Sequence, residues 1–221
     1  MIVAIDGPAG SGKGTIAKLV AKELGFLTMD TGAMYRCVAV YFIDNNISLD
    51  DEERVKNELG NINIDMKDVK GIQNFFLNGE NVSDRIRTKE VDNIVSQVSH
   101  LLPVRLSMVE LQRKLANGKN MVMEGRDIGT NVFPDAKVKI YLDATPEERA
   151  RRRMEQNKQK GIENISYEEI LENVKFRDYN DLTATIAPLK KADDAVVVDS
   201  SDLQISEVVK KVKDIIEEKI N

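Results

Sequence analysis

The sequence predicts an α/β protein with a five-stranded parallel sheet flanked by helices. Five short runs of apolar and β-branched residues each end in a polar residue or a glycine, and helical patterns separate them. Continuous apolar runs of this kind are typical of strands buried on both faces of a parallel sheet. Alternating strands and helices imply right-handed crossovers between parallel strands. The predicted strands are residues 2–6, 26–30, 121–125, 138–143 and 195–200.

The helices follow from apolar periodicity and end signals. Residues 12–24 carry apolar side chains at helical spacing and stop at Gly25, which suits a left-handed C-cap. A second apolar-striped helix follows Thr88. Pro103 is suited to open the next helix, which Gly118 ends.

Two further helices have capping boxes at their amino ends. Residues 145–148 and 166–169 both follow the pattern of a hydroxyl residue with Glu three positions later. In such a box the hydroxyl and the carboxylate each satisfy an orphan backbone amide. A final amphipathic helix begins near Ser206.

Two segments depart from this alternation of strands and helices. Residues 61–85 alternate in polarity over short strands and contain turn signals at Lys70-Gly71 and Asn78-Gly79. Asn-Gly favours a tight hairpin turn because both positions tolerate positive φ, so we expect a small antiparallel insert. Residues 149–165 begin with an arginine run and continue into a polar stretch, which predicts a second insert.

Composition limits the class of protein. The 221 residues carry 32 Lys+Arg and 37 Asp+Glu, a net charge of −5, which weighs against a nucleic-acid polymer as partner. The longest apolar run, residues 37–43, is far shorter than the ~18 residues of a membrane span. The amino terminus lacks a basic lead and Cys37 has no second cysteine to pair with, so we expect a cytoplasmic protein.

A glycine-rich loop between the first strand and the first helix predicts a nucleoside triphosphate site. Glycines let backbone amides turn toward phosphate oxygens, the helix amino terminus adds its dipole, and Lys13 adds a full charge. The spacing fits G-x-x-x-x-G-K, except that Gly14 replaces the usual hydroxyl residue and Thr15 follows it. The loop consists of Gly7, Pro8, Ala9, Gly10, Ser11, Gly12, Lys13, Gly14 and Thr15.

A kinase, a GTPase, an ATPase motor and a nucleotide sensor all use such a loop. GTPases also need an Asn-Lys-x-Asp run, which residues 117–120 match only superficially, and large motors have far longer chains. A module that senses ATP without transferring its phosphate stays open as one alternative. A phosphate-loop kinase for another nucleotide or a small metabolite stays open as an alternative.

Other motifs narrow the family. Residues 30–36 (DTGAMYR) follow the second strand and residues 124–130 (EGRDIGT) end the third, while Arg177-Asp178, Asp181 and residues 187–189 (APL) precede the last. Together with the glycine loop and the antiparallel insert, these motifs resemble the bacterial type of cytidylate kinase, a CMP/dCMP kinase. The resemblance covers nearly the whole chain.

That resemblance implies the phosphate-loop nucleoside monophosphate kinase fold. Residues 1–60 and 86–221 would form the core, residues 61–85 an insert on the acceptor side, and residues 149–165 a helical lid. The reaction would be ATP + CMP to ADP + CDP, with dCMP as a second acceptor, in pyrimidine nucleotide metabolism. Mg²⁺ would be held mainly by phosphates and water, with Thr15 as a further ligand. We expect a monomer whose partners are ATP, CMP and dCMP.

The resemblance also assigns the catalytic side chains. Phosphoryl transfer needs dense positive charge around the migrating group, and a guanidinium can hold a phosphate through two hydrogen bonds. For Arg36 and Arg126 an ion pair with Asp30 or Asp127 is the alternative, and a four-arginine run is often only a solvated helix face. The expected catalytic residues are Lys13, Arg36, Arg126, Arg149 and Arg153, and Arg152 lies in the same run.

Cytosine presents an amino donor at N4 and acceptors at N3 and O2. A site that recognises it therefore needs a carboxylate together with hydrogen-bond donors. Asp127, Arg105 and Ser96 match the base-contacting positions of the family, although Ser96 would also suit an ordinary helix surface. The expected substrate-binding residues are Thr31, Arg36, Ser96, Arg105, Arg126, Asp127, Arg177 and Asp181, and Glu124 could hold the magnesium shell through water.

One position departs from the family pattern. Ala184 stands where the family usually has an arginine that contacts the bound nucleotide. We therefore expect a raised KM for CMP with kcat less affected.

Overall fold

Strands and helices alternate along the chain as the sequence predicts. The computed structural model describes residues 1–69, 72–159, 161 and 165–220. The strands are β1 (Ile2–Asp6), β2 (Leu27–Asp30), β3 (Ile64–Val69), β4 (Ile72–Leu77), β5 (Glu80–Asn81), β6 (Met121–Gly125), β7 (Val138–Asp143) and β8 (Val196–Asp199).

The helices lie between these strands and at the carboxyl end. Two single 3₁₀ turns, Leu59–Asn61 and Arg85–Arg87, and one π turn, Ile128–Val132, complete the elements. The helices are α1 (Lys13–Leu24), α2 (Thr31–Asp44), α3 (Glu52–Glu58), α4 (Lys89–His100), α5 (Leu102–Ala116), α6 (Pro146–Gln159), α7 (Tyr167–Thr183) and α8 (Ile205–Ile220).

The predicted five-stranded sheet is confirmed. Its order is β2-β6-β1-β7-β8, with β1 paired in parallel with both β6 and β7, and β7 with β8. Asp6, the last residue of β1, is opposite Gly125 on one side and Tyr141 on the other. The carboxyl ends of the three middle strands therefore share one edge, where ligands bind in sheets of this kind.

The chain divides into two compact units, residues 1–29 with 116–221, and residues 30–115. In the first unit the middle strands β1, β6 and β7 are buried on both faces, which explains why they lack polar alternation. Helix α8 contributes Val208, Val212 and Ile216 to this core, beside Val3 and Ile5 of β1.

The second unit contains the predicted antiparallel insert as a three-stranded sheet, β3-β4-β5. Asn78 and Gly79 both have positive φ, 51° and 89°, so the Asn-Gly hairpin turn is confirmed. The predicted turn at Lys70-Gly71 lies outside the described residues. Phe75 of β4 is buried, and α2 packs against β4 and α4.

The two predicted capping boxes differ in outcome. Ser166 and Glu169 form the complete box at the start of α7. At α6 only half of it forms: Thr145 Oγ1 accepts from the Glu148 amide at 3.2 Å, but the Thr145 amide donates to Ser201 Oγ. The prediction is wrong there because Glu148 is bonded instead to arginines one turn along the helix.

No helix in the described part of the chain is both long enough and apolar enough to cross a membrane.

Candidate active site

The glycine loop begins where β1 ends and α1 starts. Gly7, Gly10 and Gly12 have φ of 149°, 81° and 94°, values that L side chains rarely adopt. A Cβ on Gly7 would lie 2.1 Å from the Leu142 carbonyl oxygen of β7, and a Cβ on Gly10 would lie 3.4 Å from Cβ of Arg149. Backbone conformation and close packing therefore both restrict residue 7 to glycine.

Lys13 is the first residue of α1 and lies beneath this loop. It is only 4% exposed, and Nζ donates to the Pro8 carbonyl oxygen at 2.7 Å and to Ser11 Oγ at 3.4 Å. Desolvation, and then the nearby Arg126 charge, lower the pKa of Lys13 to about 7. An anionic ligand would offset that desolvation and stabilise the protonated amine.

Gly14, where the loop departs from the usual pattern, lies beside a carboxylate of the sheet. A Cβ on Gly14 would lie 2.8 Å from Oε1 of Glu124, the fourth residue of β6. The carboxylate of Glu124 therefore occupies the space that a side chain at position 14 would need. A larger residue at position 14 would therefore require the Glu124 side chain to move.

Asp6 is a buried carboxylate that sequence reasoning did not assign to the site. It is 5% exposed, and its two oxygens accept the amides of Ile128 at 2.8 Å and Gly129 at 2.7 Å. Burial raises the pKa of Asp6 to about 6 despite these two bonds. The available signal was a single acidic residue that ends an otherwise apolar strand directly before the glycine loop.

Arg126 and Asp127 follow β6 in the same unit. Arg126 Nε donates to Asp181 Oδ2 of α7 at 2.9 Å. Two residues expected to contact the acceptor are thus brought together, and the carboxylate partner of Arg126 is Asp181. Asp127 is buried, precedes the π turn, and accepts from Asn131 Nδ2 at 2.9 Å.

The arginines of α6 divide by their contacts. Arg149 is 3% exposed and forms two bonds to Asp178, at 2.8 and 2.5 Å, while its Nη1 also donates to the Ala9 carbonyl oxygen at 3.1 Å. Arg152 donates to the carbonyl oxygens of Ser11 at 3.3 Å and Ser200 at 2.6 Å. Both side chains therefore fix carbonyl groups of the glycine loop.

Other parts of the predicted lid and of α7 face solvent. Arg153 on α6 and Arg177 on α7 are exposed. Residues 160 and 162–164 of the predicted lid lie outside the described residues.

In the second unit, Arg36 lies in α2, as expected from its place after β2. Its Nη1 donates to the Ile86 carbonyl oxygen at 2.9 Å, and its Nη2 donates to Asp92 Oδ1 at 2.6 Å. Asp92 lies in α4, four residues before Ser96 and so on the same helical face. The structure thus orients Arg36 through the Ile86 carbonyl group and Asp92, and not through the Asp30 pair that the sequence left open.

The same unit holds three other predicted substrate residues. Thr31 is the buried first residue of α2, and Ser96 is half-buried on α4. Arg105 of α5 is buried, with its guanidinium carbon 5.4 Å from the ring centroid of Tyr35 and Nη1 donating to the Ser99 carbonyl oxygen. Arg105 is therefore placed beside the residue that precedes Arg36.

Comparison with known proteins gives the family. The family model described as cytidylate kinase matches residues 3–218. A cytidylate kinase of Fusobacterium nucleatum is 51% identical over 209 residues, 95% of this chain and 94% of the relative. One from Caldicellulosiruptor bescii is 49% identical over 210 residues, 95% and 92% of the two chains.

Among solved structures, an uncharacterized protein from Eubacterium ventriosum is similar in fold, with a TM-score of 0.52, 14% identity and 98% coverage of both chains. The sequence identities and the full-length coverage show that the chain belongs to the cytidylate kinase family.

Proposed function

We propose that this protein is an ATP-dependent nucleoside monophosphate kinase that transfers the γ-phosphoryl group of ATP to CMP or dCMP. The products are ADP and CDP or dCDP, in pyrimidine nucleotide metabolism. The observation that supports this best is the buried Lys13 within its glycine loop, in a chain of the cytidylate kinase family.

On the donor side, residues 7–15 bind the triphosphate of ATP. The glycine backbone leaves room for phosphate oxygens, and the start of α1 adds its positive dipole end. Lys13 supplies a full positive charge that burial makes costly without an anion. Arg149 and Arg152 support the loop from α6 through its carbonyl groups. The contacts of Arg149 favour a positioning role, and the exposed Arg153 is the lid arginine that we assign to phosphate.

On the acceptor side, we assign Arg36 and Arg126 to the phosphate of CMP. Each guanidinium is already oriented by a carboxylate, Asp92 for Arg36 and Asp181 for Arg126. A preoriented guanidinium loses less side-chain entropy when it binds a phosphate.

The base and the ribose are assigned from the family pattern and from chemistry. Asp127 accepts from the cytosine amino group, while Arg105 and Ser96 supply donors, with Thr31 beside the base. Asp181 accepts from a ribose hydroxyl and Arg177 is its neighbour. The burial of Asp127 and Arg105 supports these roles, since buried polar groups discriminate strongly between ligands.

Mg²⁺ fits the donor site mainly through phosphates and water. Glu124 places a carboxylate oxygen beside Gly14 at the start of α1, and Thr15 is the hydroxyl residue that follows Gly14 in the chain. Oxygen groups of both kinds suit a magnesium ion and its bound water. The ion would neutralise charge on the phosphates during transfer.

The remaining assignments are domain roles and partners. Residues 1–60 and 86–221 act as the kinase core, residues 61–85 as the acceptor-side insert and residues 149–165 as the lid. We propose a monomer with ATP, CMP and dCMP as its small-molecule partners and no nucleic-acid polymer among them.

A coupled assay of ADP release with CMP, dCMP, UMP and AMP as acceptors tests the function. We expect CMP and dCMP to give the highest kcat/KM. A preference for UMP or AMP would refute the cytosine assignment, and ATP binding without turnover of any monophosphate would favour a sensor.

Replacing Ala184 should restore the family arginine. Ala184 is the C-cap of α7 with φ −57° and ψ 130°, a conformation that arginine adopts without strain. We expect Ala184→Arg to lower the KM for CMP about tenfold, with kcat changed less, because a charge-assisted bond to the nucleotide is gained. Steady-state kinetics at varied CMP measures this, and the exposed neighbour provides the control variant Thr185→Arg. An unchanged KM for CMP would refute the interpretation.

Removing Asp92 should loosen Arg36. We expect Asp92→Ala to raise the KM for CMP about tenfold and to leave the KM for ATP unchanged, because only Ile86 would then orient the guanidinium. Asp44→Ala is the matched control, since it breaks another 2.6 Å pair of the same unit, with Arg85, at residues that we assign to neither nucleotide. Equal effects of the two variants would contradict this role of Asp92.

A further inference from the structure

The buried carboxylate of Asp6 joins two segments that the proposed function uses for different substrates. Asp6 ends β1, and the next residue, Gly7, begins the phosphate loop. Its register partner Gly125 ends β6, and the next residue there is Arg126. Because β1 and β6 are parallel neighbours, the chain leaves both strands at the same edge of the sheet.

The bonds of Asp6 cross from the first segment to the second. Its oxygens accept the amides of Ile128 and Gly129, which open the π turn Ile128–Val132. Amides at the start of a helical turn have no partner within it. Without Asp6 both would become buried donors without this acceptor, so the carboxylate determines where the turn begins.

Close packing on the other side of the turn allows little movement. A Cβ built on Gly129 would lie 3.3 Å from Asp6 Oδ2 and 3.1 Å from Cδ of Lys139. Lys139 is itself buried and bonded to the carbonyl oxygen of Pro134 and to Asp194. Position 129 is therefore held between Asp6 and Lys139.

The residues directly before this turn are Arg126 and Asp127. Asp127 is only one residue before the first amide that Asp6 binds, and it has φ −142° and ψ 27° as the residue preceding the turn. Any shift of the turn changes the direction of the Asp127 side chain. Asp6 is thus linked to Asp127 through the backbone of the turn, since both of its oxygens accept amides there.

We propose that Asp6 is a positioning residue that sets cytosine discrimination by fixing the backbone that presents Asp127. The inference rests on the proposed function, in which Asp127 reads the base. In this proposal the end of β1 is connected both to the phosphate loop, which begins at Gly7, and to the segment with Arg126 and Asp127 that follows β6. The raised pKa of Asp6 is consistent with a group kept buried for its bonds despite the cost of desolvation.

The isosteric change Asp6→Asn tests this directly. Asparagine keeps the shape but turns one acceptor oxygen into an amino donor that faces a backbone amide. We expect the ratio of kcat/KM for CMP over UMP to fall about tenfold, and the KM for CMP to rise by a similar factor. The KM for ATP should change less than the KM for CMP, because Lys13 and the loop glycines are retained and Lys13 loses only one of the carboxylates that favour its protonated form.

Two comparisons separate positioning from a loss of stability. Ile216→Ala truncates a fully buried side chain of the same unit, far along the chain in α8, and should lower the melting temperature at an unchanged CMP-to-UMP ratio. If Asp6→Asn does not fold, Gly129→Ala disturbs the same turn while it keeps the carboxylate, because the added Cβ would lie 3.1 Å from Cδ of Lys139 and 3.3 Å from Asp6 Oδ2. The same shift in the ratio is expected for that variant.

Asp127→Asn distinguishes failure of this inference from failure of the proposed function. If Asp127→Asn lowers the CMP-to-UMP ratio while the Asp6 and Gly129 variants leave it unchanged, the inference is overturned and the function stands. If Asp127→Asn also leaves the ratio unchanged, both the base-reading role and the inference fail. A ratio lowered in all three variants, but not in Ile216→Ala, supports the proposal.

Discussion

Lys13→Met is expected to lower kcat/KM for ATP about 10³-fold, the loss typical of removing one preorganised group that stabilises transition-state charge. Methionine matches the length of lysine and keeps the apolar contacts of its stem. What it removes is the buried cation that bonds to Pro8 and Ser11 within the glycine loop. Steady-state kinetics at saturating CMP measures the effect.

The same variant should gain stability near neutral pH. Burial lowers the pKa of Lys13 from 10.5 to about 7, so protonated Lys13 is less favourable in the folded than in the unfolded chain. Between pH 7 and 10.5 the unfolded state binds more protons, and wild-type stability therefore rises with pH relative to the variant. We expect the melting temperature of Lys13→Met to exceed that of the wild type at pH 6, with a smaller excess at pH 9.

Lys18→Met is the matched control for both measurements. Lys18 is an exposed lysine of α1, five residues after Lys13. It should retain wild-type kinetics and wild-type pH dependence of stability. A Lys13→Met enzyme with activity within tenfold of wild type would refute the assignment of Lys13 to the phosphates.

Gly7→Ala is expected to destabilise the folded state more than the same change at any other glycine of the described residues. Its φ of 149° is strained for alanine, and the new Cβ would lie 2.1 Å from the Leu142 carbonyl oxygen. That oxygen belongs to β7, whose pairing with β1 prevents it from moving aside. We expect a loss of at least about 3 kcal/mol in the free energy of unfolding, from strain and steric overlap together. Urea unfolding followed by circular dichroism measures it.

Gly60→Ala is the comparison for this loss. A Cβ on Gly60 meets no atom of the described residues within 4 Å, and its φ is not positive. The change in the free energy of unfolding should stay within about 0.5 kcal/mol. If Gly7→Ala were as mild, the close approach of the loop to β7 would not be a constraint on the native state.

Patterns local in sequence predicted most of the fold. The strands of the parallel sheet follow their apolar runs to within one residue at each end, because burial on both faces requires continuous apolar sequence. The Asn78-Gly79 turn follows from the tolerance of its two residues for positive φ. The capping box predicted at Thr145, of which only half forms, shows the limit of such local patterns. Its outcome depends on Ser201, a residue 56 positions away that takes the amide.

The site was predictable where a motif is continuous in sequence and less so where it is assembled in space. The glycine spacing with Lys13 is a local motif, and it indicates a phosphate site without any knowledge of the fold. The pairs that orient the arginines are not local: Arg36 with Asp92, Arg126 with Asp181, and Arg149 with Asp178. Their separations of 56, 55 and 29 residues carry no periodic signal.

The sequence by itself therefore determined the class of fold, the phosphate loop and the resemblance to cytidylate kinases, because each depends on neighbouring residues. Only the tertiary structure showed that the Glu124 carboxylate of β6, 110 positions away, lies where a side chain at position 14 would begin. It also showed that Asp6 joins the end of β1 to the π turn after β6, since its bonds reach amides 122 and 123 positions away. Both contacts join segments that are far apart in the sequence. They form only when the parallel strands β1 and β6 place their carboxyl ends at one edge of the sheet.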